Sequence, residues 1–152
     1  MKRPSNFWWC KRRPPIEYGV FARAWLSTVT VRMLLPCLAV RTIRRVLRRV
    51  LSADAPLPGT KRLPADRVVS CATRAGRFSP LPVTCLVTAV VVEALLNQHG
   101  YPARLQVGVQ RGSGGSFAAH AWVVLEDAVV VGGPVSVINE YTPLPHVERF
   151  LI

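Results

Sequence analysis

Acidic side chains are scarce in this chain. Against 20 Lys+Arg stand 8 Asp+Glu, a formal net charge of +12 over 152 residues. That excess favours anionic company: an acidic peptide or protein, nucleic acid, or an anionic membrane surface. Paired metal-ligand motifs are missing as well. The cysteines Cys10, Cys37, Cys71 and Cys85 form no CxxC, and no HxxxH follows them, so neither a structural zinc nor another metal is expected. Long apolar runs are absent too. The start, "MKRPSNFWWCKRRPP", has charges but no apolar core behind them, unlike a secretory signal. "VFARAWLSTVTVRMLLPCLAV" is interrupted by Arg23, Arg32 and Pro36, which unsuits it to cross a bilayer. The chain reads as cytoplasmic, with reduced thiols and no cofactor. It carries no internal repeat and no low-complexity tract.

Half of the residues are apolar, and the length suits one domain with a real core. Residues 1–17 read as a basic arm whose Trp8 and Trp9 suit a protein interface or a membrane periphery. Residues 18–152 read as a single domain, helical over 18–100 and sheet-forming over 103–138. A first helix runs from Tyr18 to the Pro36 break. In a second, over 37–51, Ile43, Val46, Leu47, Val50 and Leu51 recur at i, i+3, i+4, i+7, i+8 as an apolar stripe. Arg41, Arg44, Arg45, Arg48 and Arg49 repeat that spacing on what reads as the wet face. "SADAPLPGTKRLP" is a linker by its Pro, Gly, Ser and Asp. A third helix is expected over 65–77.

Segment 85–99 is apolar nearly all round, which predicts a central buried helix with Thr84 as N-cap and Gly100 as its stop. "ARLQVGVQ" alternates as a half-buried strand does, "AAHAWVVL" is a second strand, "ED" a turn and "AVVV" a third strand. Helices followed by an antiparallel sheet give an α+β domain.

Chemistry concentrates at two positions. Cys85 opens the buried helix, where unpaired N–H groups and a partial positive charge favour a thiolate and can receive an oxyanion. His120 lies on the second strand, on one face with Trp122 and Val124. A buried imidazole needs a partner, and a Cys–His pair supplies a base for the thiol and an acid for a leaving amine. Plain packing explains a lone cysteine or histidine equally well. His99 ends its helix, where a cation suits the C-terminal carbonyls, and His146 lies in the "PLPHVERF" tail.

"CLVTAVVVEALLNQHGYPARLQVGVQ" followed by "AHAWVVL" resembles the transglutaminase-like peptidases of lasso-peptide biosynthesis, specifically over 85–125 and more loosely over 18–84. The resemblance implies a transglutaminase-like, papain-like core with N-terminal helices packed on a small antiparallel sheet. It also implies a cysteine peptidase that removes the leader from a ribosomally made precursor peptide. Such a peptidase works with a small separate leader-binding protein and a cyclase. Carried onto this chain, Cys85 is the nucleophile and His120 the general base.

The resemblance further implies an acid about a dozen residues after the histidine, where this chain reads "VVVGGP", with Gly132 and Gly133. Asp127 ranks first as a substitute orienter, ahead of Glu126, Glu140 and Asn139. A dyad with a backbone or amide orienter is the alternative. The arginine face is expected to dock an acidic partner surface or leader segment. A second functional reading is a non-catalytic basic scaffold of the same maturation complex. Acyl transfer to an amine would use the same pair, and no nucleic-acid motif accompanies the charge.

Overall fold

A computed structural model describes residues 15–53, 63–111 and 116–144. Trp8, Trp9, Cys10, most of the 52–64 linker and His146 lie outside them. Four helices precede the sheet: α1 (Pro15–Leu34), α2 (Val40–Ala53), α3 (Ala65–Arg77) and α4 (Cys85–Gln98). Strands β1 (Arg104–Arg111), β2 (Phe117–Leu125) and β3 (Ala128–Val131) follow, then a single helical turn α5 (Val135–Ile138) and the short strand β4 (Thr142–Pro143). The architecture is α+β, with an antiparallel sheet of order β3-β2-β1-β4.

Helix α4 is the centre. Thr84 caps it by accepting a hydrogen bond from the Val87 N–H at 3.4 Å. Gly100, at φ 81°, closes it: Tyr101 N–H reaches Leu96 O at 2.9 Å and Gly100 N–H reaches Asn97 O at 3.0 Å. This is the left-handed stop that glycine adopts without a Cβ penalty. Between the caps, Val87, Val90, Val91, Val92, Leu95 and Leu96 are buried, and α1, α2, α3, β1 and β2 all pack against α4.

The sheet is covered on both faces. Val107, Ala121 and Val123 join the helical core, while Trp122 and Val124 form a second cluster with Ile138 of α5, against Val129 and Tyr141. Among the described residues no helix is long and apolar enough to cross a membrane.

The structure corrects several expectations. α1 begins at Pro15, inside the stretch read as an arm, because proline's fixed φ suits a first helical turn. α2 begins at Val40, since Leu34–Leu38 turns instead. On α2, Val40, Ile43, Leu47 and Leu51 are buried, whereas Val46 and Val50 are exposed. The buried arc is displaced from the apolar stripe toward Arg44, for the reason given below. β4 and α5 were not expected: segments of two and four residues are too short to show a period.

Candidate active site

Cys85 is the first residue of α4, and its side chain is exposed. Among the described residues its thiol makes no hydrogen bond, so it is neither buried packing nor tied to a neighbour. Cys37 is also free and exposed, whereas Cys71 is buried.

His120 sits on β2 opposite Gly108 of β1. Its ring stacks on Trp122 with centroids 6.2 Å apart and tilts against Tyr141 at 5.3 Å. Its Nε2 lies 2.5 Å from the carbonyl oxygen of Gly132, just past the end of β3. A carbonyl oxygen only accepts, so Nε2 carries the hydrogen.

The chain path brings these two residues to the same end of the helix–sheet layer. At the far end, Leu105 N–H donates to Glu93 Oε1 at 3.4 Å, and Asn97 Nδ2 donates to Ala103 O at 3.0 Å. β1 therefore starts beside the C-terminal half of α4 and runs back toward Cys85. From the Leu105–Val123 pair to the Gly108–His120 pair is three residues, about 10 Å of strand. From Glu93 back to Cys85 is eight residues, about 12 Å of helix. Both residues therefore lie toward the N-terminal end of α4. They do not share a face, for α4 covers Ala121 and Val123 while His120 stands with Trp122, and no hydrogen bond joins them.

Asp127 is not the orienter of His120. It occupies the turn with Glu126, both at positive φ (65° and 48°), is 94% exposed, and faces Arg104 at 3.6 Å. Glu140 accepts instead from Gln110 Nε2 at 3.2 Å, and Asn139 caps α5. The position a dozen residues beyond the histidine does contact it, through a main-chain atom.

The arginine face is also divided. Glu93 of α4 is 2% exposed and takes a two-pronged contact from Arg44, Nε to Oε2 at 2.9 Å and Nη2 to Oε1 at 2.5 Å. Arg48 adds a third bond at 3.3 Å. A buried carboxylate must be paired, and the forked guanidinium matches it. Arg44, expected on the wet face, is therefore turned inward at 12% exposure. Glu93 is the residue that pattern reading missed; its signal was to be the lone charge in an otherwise apolar helix facing an arginine-rich one. Arg41, Arg45, Arg48 and Arg49 stay exposed, around a surface depression of about 290 Å³. Among the described residues no cluster of three His, Cys, Asp or Glu could hold a metal.

A family model described as the transglutaminase-like superfamily matches residues 25–146, well over half of the chain. No curated protein and no solved structure matches it. The chain belongs to the transglutaminase-like superfamily, whose members are often cysteine peptidases.

Proposed function

We propose that this member of the transglutaminase-like superfamily is a cysteine peptidase that removes the leader from a lasso-peptide precursor. It would act in the cytoplasm, with a separate leader-binding protein and a cyclase. The observation that supports the reading is an exposed thiol at the capped start of the central helix, in a chain whose β2 histidine has its Nε2 already engaged. The three sequence blocks around Cys85 and His120 supply the substrate class.

In the proposed reaction the Cys85 thiol passes its proton to His120 Nδ1 as sulfur bonds to the scissile carbonyl carbon, and the carbonyl π pair moves onto oxygen. Unpaired N–H groups of the first α4 turn stabilise that oxyanion. Collapse restores C=O and breaks the C–N bond, and the amine leaves with the proton from His120. Water then gives a proton to His120 and bonds to the thioester carbon, the C–S bond breaks, and sulfur regains the proton. Because the thiol and imidazole lie off different faces of β2, the reaction requires substrate binding to rearrange this end of the layer so that the two groups meet.

The test is intact mass of a candidate precursor after incubation with the chain and a leader-binding protein, wild type beside Cys85→Ala. Loss of the leader mass with wild type only is expected. An unchanged precursor in both, with folded protein and bound partner, rejects the peptidase. The second reading, a non-catalytic scaffold, is favoured by the absence of a carboxylate on His120. It gains if His120→Ala leaves processing intact.

A further inference from the structure

What holds His120 is a backbone atom at a position where only glycine fits. Gly132 has φ +125°, and a Cβ there would stand 2.3 Å from the Trp122 Cβ and 2.9 Å from its Cα. Trp122 has nowhere to retreat. It is 2% exposed, its Nε1–H donates to Gln106 Oε1 at 2.8 Å, and its ring passes so close to Gly108 that a Cβ there would be 2.7 Å from Cη2. The same Gly108 Cβ would meet the Tyr141 Cβ at 2.9 Å. Two missing side chains thus let Trp122 and Tyr141 close on the imidazole while the Gly132 carbonyl meets its Nε2.

We propose that Gly132 is the positioning residue of His120: its main-chain carbonyl takes the place of an orienting carboxylate and holds the Nε2–H tautomer, leaving Nδ1 as the base. This rests on the peptidase reading. A third member of such a constellation mainly fixes tautomer and ring orientation, and a neutral acceptor can do both. What it forgoes is the charge-assisted part of the bond, about half of its strength, so the imidazolium is held less firmly than beside a carboxylate.

The experiment is ¹⁵N-edited NMR of the full chain, whose three histidines are separated by assigning His120 with His120→Gln. Wild type is expected to show neutral His120 with a hydrogen on Nε2, slowed in exchange, and a bare Nδ1. Gly132→Ala should lose that protected proton and lower kcat roughly 100-fold with KM little changed, as a displaced base does. Gly133→Ala, also at positive φ (105°) but with open space around the new Cβ, should keep it. An Nδ1–H tautomer in wild type overturns the assignment, as does a protected Nε2–H that survives Gly132→Ala. Should Gly132→Ala not fold, the wild-type tautomer decides alone. An uncut precursor beside an intact Nε2–H signal overturns the peptidase reading, and with it the catalytic role of Gly132. An Nδ1–H tautomer beside a cut precursor overturns the Gly132 assignment alone.

Discussion

Glu93 and Arg44 show what a single buried charge imposes on its neighbours. A carboxylate inside an apolar helix costs several kcal/mol to desolvate and persists only when paired. Arg44 supplies two bonds and Arg48 a third, and the Leu105 N–H fixes the start of β1 on the same oxygen. One residue thereby ties α2, α4 and the sheet together. Glu93→Ala leaves a guanidinium largely shielded from water, so a loss of about 3 kcal/mol is expected, a fall in Tm of roughly 10 °C for this size. The double variant Arg44→Leu with Glu93→Leu should recover much of it, because no charge is then stranded. A Tm unmoved by Glu93→Ala would mean the pair holds nothing together. A second prediction at this scale concerns Cys85. Cys37 is equally free and exposed but does not open a helix, which makes it an internal control. In the folded protein, mass-resolved iodoacetamide labelling should reach Cys85 several-fold faster than Cys37, with Cys71 slowest. Equal rates at the two exposed thiols would remove the argument that the α4 terminus activates one of them.

The β2–β3 hairpin turns on Glu126 and Asp127, both left-handed, with Leu125 opposite Ala128. That is a two-residue turn of the kind whose twist suits a hairpin, but Asn-Gly satisfies it at less cost than Glu-Asp. Glu126→Asn with Asp127→Gly should raise stability by about 1 kcal/mol, read as a Tm gain of roughly 3 °C. A fall in Tm would show that the Asp127–Arg104 contact matters more than the backbone. This hairpin was legible in the sequence because its signals are local: alternating apolar residues and a polar pair between them. α4 was legible for the same reason, since Thr84 and Gly100 mark its ends with their own chemistry. α2 was only half legible. Its period was right, but which arc faces inward depends on Glu93, some fifty residues away, and counting along one helix cannot reveal that. The candidate site divides similarly. Cys85 and His120 stand out by residue type and position. The partner of His120 does not, because a main-chain carbonyl belongs to every residue, and only the fold shows which one meets the ring. The apparent lack of an acid at "VVVGGP" was a true reading of side chains that left the backbone out.

For the whole molecule the dominant fact is charge, and Glu93 cancels little of it. With Arg44 consumed and Arg48 shared, Arg41, Arg45 and Arg49 make no ion pair among the described residues and line one side of α2 with Arg48. Under the proposed function, such a ridge on a chain of net charge +12 would receive an acidic segment of a leader or of its binding protein. Steering by exposed charges weakens as salt shortens the Debye length from about 10 Å at 0.1 M to about 3 Å at 1 M. Binding of a precursor with an acidic leader should therefore weaken steeply between those conditions, chiefly through a slower on-rate. Replacing Arg41, Arg45 and Arg49 by Gln should flatten that dependence while leaving Tm within about 2 °C, since exposed arginines contribute little to stability. Arg44→Gln should behave oppositely, lowering Tm with little change in salt dependence, because its charge is spent inside the protein. Stopped-flow association at several salt concentrations, with thermal melts of the same variants, separates the two roles. On-rates that ignore salt in the wild type would rule out the ridge as a docking surface. A Tm loss in the triple variant as large as in Arg44→Gln would instead make the ridge part of the fold.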